Sequence, residues 1–260
     1  MKNSTNAFKS IVTGAVLSLA LGGVTKASTL PIDGFQTPDV FLASGMVGLE
    51  ARQTDSGLVG VLGGSRTASI TAYGNPSIIR NATLLIGQEA MYDGLSLNGG
   101  DGVYFTTYML YDNSGSGLDV DFRNVNKVSV FLKRGDHLGD EKRSFMSITL
   151  TDNSLRTVTA DQEWGTPGHP SVDPFTAMTV DFSFNDPAFD FAHVHSIKFL
   201  YESDQANDLL VGGITANVVP EPESLLLFGV VGLAMAALKR MRRSCRGPEG
   251  ARSEWALDKT

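Results

Sequence analysis

Cysteine is almost absent: the only one in 260 residues is Cys245, inside the polar stretch Ser244–Thr260. No disulfide framework is available, so the chain must fold on an apolar core alone, which about 190 residues can supply. Basic residues are scarce between positions 28 and 219. Of the 21 Lys and Arg in the chain, three precede that segment and seven follow it, which leaves 11 against 23 Asp and Glu. A body near −12 argues against nucleic acid as a partner, because neutralising phosphates requires clustered Lys and Arg. Catalytic signatures are missing too. The sequence has no Gly-x-Ser-x-Gly elbow, no His-Glu-x-x-His and no phosphate-cradling glycine loop before a helix. Paired carboxylates for glycan cleavage leave no sequence signature, since they need only meet in space. Helical periodicity is also lacking, with no long stretch of apolar residues at i, i+3, i+4 and i+7.

What the body does contain is strand-like segments. Arg66–Tyr73, Gly102–Tyr111, Lys127–Lys133, Ser144–Thr151, Ala177–Phe184, His195–Glu202 and Asp208–Val218 are rich in Val, Ile, Thr, Phe and Tyr. Several alternate apolar and polar residues, as a sheet with one buried face requires. Turn clusters such as Asn98–Asp101 and Asp112–Gly117 separate them. In Ser144–Thr151, Phe145, Ile148 and Leu150 do not keep one parity, which predicts a bulge or register change there. Gly60–Gly64 reads as a turn or bulge. The whole predicts an all-β fold, an antiparallel β-sandwich of jelly-roll type.

The two ends read differently. Lys2 and Lys9 precede the apolar run Ile11–Val24, and Thr25 and Ala27 suit cleavage after Ala27, so residues 1–27 read as a secretory signal peptide. Residues 28–217 form the extracytoplasmic domain and 218–243 are a separate unit. There Pro220 and Pro222 enforce an extended backbone, Ser224 is positioned to cap a helix, and Leu225–Leu238 is apolar. Fourteen residues make a helix of about 21 Å at about 1.5 Å each, short of a ~30 Å hydrocarbon core. Lys239, Arg240, Arg242 and Arg243 would snorkel over the mismatch and act as stop-transfer charges on the cytoplasmic side. A polar tail, 244–260, follows.

Pro220-Glu221-Pro222, the short glycine-containing apolar run and the basic cluster together resemble the PEP-CTERM sorting signal. The resemblance covers about 26 residues and departs from the family in the added tail Ser244–Thr260. It implies export in a Gram-negative, exopolysaccharide-producing cell, an inner-membrane anchor through the C-terminal helix, and recognition of Pro220, Glu221 and Pro222 by an exosortase, a membrane-bound transpeptidase-like enzyme. The processed protein would then reach the cell surface or extracellular matrix.

Candidate chemistry within the body is sparse. His193 and His195 would share one face of a strand, a geometry metal sites use, but no third ligand is apparent. Asp112–Asp121 collects oxygen ligands, with Asp112, Asp119 and Asp121 as weak candidates for calcium, the one cofactor considered; a solvated hairpin turn is the preferred reading of the same residues. Trp164 opens a loop and is a candidate for stacking on a sugar ring. The sequence reading is therefore a non-catalytic exported protein associated with exopolysaccharide or biofilm. A carbohydrate-binding module using Trp164 and a glycan hydrolase on a jelly-roll scaffold are the alternatives.

Overall fold

The computed structural model describes residues 28–36, 39–44, 47–74, 82–89, 92–100, 102–135, 144–164, 177–203 and 208–219. All belong to one compact unit, Ala27–Val219. Thirteen strands appear among them: β1 Ser28–Asp33, β2 Val40–Ser44, β3 Glu50–Ser56, β4 Ser65–Gly74, β5 Ala82–Glu89, β6 Tyr92–Gly99, β7 Val103–Tyr111, β8 Val125–Gly135, β9 Ser144–Asp152, β10 Thr157–Trp164, β11 Met178–Phe182, β12 Val194–Ser203 and β13 Asp208–Val218. A short 3-10 turn, Leu62–Gly64, joins β3 to β4, which accounts for the Gly60–Gly64 run.

Two antiparallel sheets result. One is ordered β11-β8-β13-β6-β5-β2, with β1 added beside β13; the other is ordered β10-β9-β12-β7-β4-β3. Strands β6 to β13 alone follow the jelly-roll order: four of them run β11-β8-β13-β6, the other four β10-β9-β12-β7, and the chain crosses between sheets at nearly every connection. The remaining strands widen both sheets. β13 is flanked on one side by β8 along most of its length. On the other side it pairs first with β6, over Asp208–Val211, and then with β1, over Ile214–Val218.

The core lies between the sheets and follows the strand period. β7 is the clearest case, with Val103, Phe105, Met109 and Tyr111 buried and Tyr104, Thr106, Tyr108 and Leu110 on the outer face. From the other sheet Val128, Val130 and Leu132 of β8 and Leu209, Val211 and Ile214 of β13 are buried as well. Phe105 and Tyr201 meet as a tilted aromatic pair, ring centroids 5.9 Å apart. Each large apolar side chain so buried contributes about 1.5–3 kcal/mol.

Two sequence expectations are corrected. No bulge interrupts β9: Met146, Ile148 and Leu150 point inward in strict alternation, and Phe145 belongs to the outer face with Thr149. The register change falls instead on the facing strand, between Val194 and Ser196 of β12. Asp112–Asp121 is also no hairpin turn, because it carries the chain from β7 in one sheet to β8 in the other. Leu118 N–H donates to the His195 carbonyl, Val120 bridges Val194 in both directions, and Phe122 N–H reaches the Phe191 carbonyl, so this crossing is sewn to the start of β12.

One charged cluster is sealed inside. Arg66 of β4 is 0% exposed and Asp33 of β1 2%. Arg66 Nη1 donates to Asp33 Oδ2 at 2.7 Å, Tyr111 Oη donates to the same oxygen at 3.1 Å, and the Phe35 N–H donates to Oδ1 at 2.7 Å. The guanidinium also lies 5.9 Å from the centre of the Phe35 ring. Burial raises the Asp33 carboxyl above its ordinary range and outweighs the opposing pull of Arg66. The same burial, reinforced by Asp33, pushes the Tyr111 hydroxyl well up.

Candidate functional site

The outer face of the six-stranded sheet bears aromatic and polar side chains together. Pairing register fixes its layout, since residues opposite one another on neighbouring strands share a face. One row runs Glu50, Thr71, Thr106, Glu202, Phe145; the next runs Arg52, Ser69, Tyr108, Leu200, Ser147; a third runs Thr54, Thr67, Leu110, Lys198, Thr149. Tyr73 and Tyr104 are paired at one end, and Tyr73 is 46% exposed. Six strands at about 4.8 Å spacing make a surface roughly 24 Å across, and Tyr104 and Tyr108 lie about 13–14 Å apart along β7.

Polar contacts hold parts of this face in place. Glu50 Oε1 accepts from Ser69 Oγ at 2.6 Å and from the Tyr108 hydroxyl at 2.9 Å. The Ser69 and Tyr108 hydroxyls hold the Glu50 carboxyl below its usual range, while burial, then Glu50, raises the Tyr108 hydroxyl. Lys198 Nζ sits 4.8 Å from the centre of the Tyr108 ring. The Thr54–Thr67 and Thr149–Thr159 hydroxyl pairs, each 2.9 Å apart, complete a surface rich in groups that both donate and accept.

The other sequence candidates fall elsewhere. Asp119 Oδ1 is 2.8 Å from His193 Nδ1, and Asn153 Nδ2 donates to the same oxygen at 3.4 Å. That contact draws the His193 imidazole above its ordinary value and the Asp119 carboxyl below its own. Asp121 is gripped by Arg123 through its guanidinium and backbone N–H, which lowers its carboxyl to about 2. The Asp112 carbonyl accepts from the Gly115 and Gly117 N–H groups. Gly117, at φ +86°, leaves room for the His195 ring, which a Cβ there would strike. His193 precedes β12, and a register change falls between Val194 and Ser196, around His195. Among the described residues no group of three His, Cys, Asp or Glu could hold a metal ion, so the calcium candidates and the histidine pair do not assemble into a metal centre.

Trp164 is the last residue of β10, its backbone paired with Ser144 at the edge of the same sheet; its side chain lies outside the described residues. Ala27, Pro220, Glu221, Pro222, Lys239, Arg240, Arg242 and Arg243 also lie outside them. Among the described residues no helix is long and apolar enough to cross a membrane. The tyrosines of β4 and β7 were not singled out from the sequence. The signal for them was present in Gly102–Tyr111, where alternation against Val103 and Phe105 already assigns Tyr104, Thr106 and Tyr108 to the opposite face.

No protein-family model matches the chain, and no curated relative aligns with it. Solved structures with a similar arrangement include the family 11 carbohydrate-binding module of the cellulosomal cellulase Lic26A-Cel5E of Clostridium thermocellum, at 12% identity and TM-score 0.35, covering 76% of this chain and 98% of that one. The xylan-binding module CBM15 is similar at 11% identity and TM-score 0.39, covering 75% and 99%. A carbohydrate-binding module specific for non-crystalline cellulose, CBM28, is similar at 11% identity and TM-score 0.38, over 52% and 82%. Likeness at this level adds nothing to what the strand order already states.

Proposed function

We propose that this is an exported, non-catalytic protein of the cell surface or extracellular matrix that holds polysaccharide on the outer face of its six-stranded sheet. The observation that carries the reading is the 46% exposed Tyr73 with the half-buried Tyr104 and Tyr108 on the outer sheet face, beside Thr71, Thr106 and the exposed Glu50 and Glu202 carboxylates. Aromatic rings cover the apolar C–H faces of sugar rings, and the surrounding hydroxyls and carboxylates meet sugar hydroxyls that both donate and accept. The acidic body favours neutral chains over polyanions. Electrophoresis of the exported protein through native gels holding a neutral β-glucan, galactan or mannan tests it. Tyr104→Ala and Tyr73→Ala should each weaken retention about tenfold, ~1.4 kcal/mol, with the unfolding temperature little changed. Retention equal to that of the parent protein refutes the site, and retention lost only in Trp164→Ala moves it to the end of β10.

The delivery half of the proposal rests on the sequence of residues 218–243, with Pro220, Glu221 and Pro222 as the exosortase motif and residues 225–243 as the temporary inner-membrane anchor. The fold is compatible with that processing. Among the described residues β1 starts at Ser28, and the Val219 N–H donates to the Asn124 carbonyl at 2.7 Å. Removal of either end at the proposed points leaves each of the thirteen described strands whole. Pro220→Ala combined with Pro222→Ala should leave export intact and abolish processing; unchanged processing in that variant sinks the assignment.

A further inference from the structure

One end of the sandwich gathers features that the polysaccharide face does not use. Among the described residues the two most exposed large apolar side chains are Val59, 90% exposed, and Leu155, 73%. Val59 tips the turn between β3 and β4, and Leu155 tips the turn between β9 and β10. Register puts both turns at the same end. Ser56 pairs with Ser65, Thr67 with Leu110, Tyr111 with Ile197, Asp152 with Val194 and Thr151 with Thr157. The crossing formed by residues 112–124 runs over that end, where the Ser114 N–H donates to Ser65 Oγ and the Asn124 carbonyl accepts from the Val219 N–H. The chain therefore leaves the body at this end too, through a half-exposed Val219.

Leu155 is held outward. Its backbone sits at φ +62°, a region that a bulky side chain occupies only under strain. Asp152 fixes the turn there: its Oδ1 accepts from the Ser154 and Arg156 N–H groups, and its carbonyl accepts from the Leu155 N–H. A strained backbone that presents a leucine to the outside gains nothing for the core, which points to something the side chain meets. Val59 lies between Gly57 and Gly60, both at positive φ, in a turn tied by the Leu58 N–H to the Gly64 carbonyl.

We propose that this end of the sandwich rests on the lipid surface while the protein is anchored, with Val59 and Leu155 dipping into the headgroup region. The inference rests on the reading of residues 225–238 as the membrane anchor. Only residues 220–224 separate Val219 from that run, and five residues span at most about 18 Å when fully extended. The end bearing Val219 is thereby confined near the bilayer. The two apolar turns stand at opposite edges of the six-stranded sheet, roughly 19 Å apart at about 4.8 Å per strand. That base is wide enough to steady the body on a single tether. Charge limits the contact to the tips. Arg123 grips Asp121 and Arg156 reaches the Ala188 carbonyl, while Asp119 and Asp190 lie close to His193 at the same end. Anionic headgroups would repel these carboxylates, so the contact depends on the local concentration that the tether provides.

The test uses the full-length protein with Cys245→Ser and one new cysteine at a time, Val59→Cys, Leu155→Cys or Asn98→Cys, carrying a polarity-sensitive fluorophore. It is placed in vesicles of phosphatidylethanolamine and phosphatidylglycerol. Asn98 is exposed and pairs with Asp208, ten residues back along β13 from Val218 and about 33 Å away, so it reports the far end. Spin-labelled lipid should quench the dyes at positions 59 and 155 about threefold more than the dye at position 98, with their emission shifted to the blue. A dye can itself seek lipid, so a second measurement labels Ser154→Cys and leaves the tips free to change. Val59→Ser with Leu155→Asn should cut quenching of that dye about threefold, while the unfolding temperature holds or rises because Asn tolerates φ +62°. Equal quenching at 59, 155 and 98, or quenching at 154 untouched by the double change, overturns the proposal and leaves the anchor standing. Protein that fails to float with the vesicles overturns the anchor reading, and this inference with it.

Discussion

Removing Asp33 should be among the most damaging single changes in the body, and the buried cluster lets the size be worked out. Asp33→Ala deprives the fully buried Arg66 guanidinium of its carboxylate. Breaking such a pair from one side costs about 3–5 kcal/mol. The Tyr111 hydroxyl and the Phe35 N–H lose their acceptor as well, at about 1–3 kcal/mol each. The lower end of that total, about 5 kcal/mol, already matches the low end of whole-domain stability, ~5–15 kcal/mol. At about 2–4 °C per kcal/mol for a body of this size, thermal unfolding followed by circular dichroism should fall by about 10–20 °C or more. Asp33→Ala with Arg66→Met removes both members of the pair, so the double variant should be more stable than Asp33→Ala alone. The sign with pH is defined for Arg66→Met. Burial already raises the Asp33 carboxyl above 3.8 in the folded state, and loss of the guanidinium raises it further. A raised carboxyl favours the folded state below 3.8 and disfavours it as pH climbs through the folded value, so the damage should be least in acid and grow toward neutrality. An Asp33→Ala loss under about 5 °C, or a double variant showing the sum of both single losses, refutes the reasoning.

Three further outcomes are expected. Gly94→Ala places a Cβ against the Val211 backbone carbonyl at φ +147°, which no rotamer change relieves, so the pairing of β6 with β13 should weaken and hydrogen exchange at Leu95 and Leu97 should rise at least tenfold. Proton NMR should find the His193 imidazole titrating above 6.5 and returning toward that value in Asp119→Asn; no shift on that change would show that the contact does not form in solution. The stabilising effect of this contact should be strongest between about 3.8 and 6.5. Raised His193 loses its contribution as pH rises through its folded value, and lowered Asp119 loses its own as pH falls through its own.

The fold class was readable because the inner strands alternate cleanly. Asp208–Val218 matches β13 residue for residue, and Lys127–Lys133 and His195–Glu202 fall within a few residues of β8 and β12. The strands that went unread have weaker local signals. β3 is Glu-Ala-Arg-Gln-Thr-Asp-Ser, whose inward positions are Ala51, Gln53 and Asp55; it lies at a sheet edge, where little needs burying. β1 contains Pro31, which speaks against a strand unless the missing donor faces away from the ladder, and β6 opens with Tyr-Asp-Gly. Phe145 misled for a related reason: a large apolar residue was assigned to the core when Met146 occupies that face. The sites were less legible. The parity of β7 places Tyr104 and Tyr108, but Tyr73 joins them only through the register of β4 against β7.

The position of β13 has a mechanical consequence. Ser28 pairs with Val218, so the first and last strands of the body lie side by side, and whatever follows Val219 pulls directly on β13. That strand is not at an edge. Along its length it is bonded to β8 on one flank and to β6 and then β1 on the other. A tension transmitted through the C-terminal extension along the strand axis would load both ladders together in shear, instead of parting hydrogen bonds one at a time as peeling an edge strand does. On the proposed function, drag on a bound polymer would be carried by both ladders of β13 together.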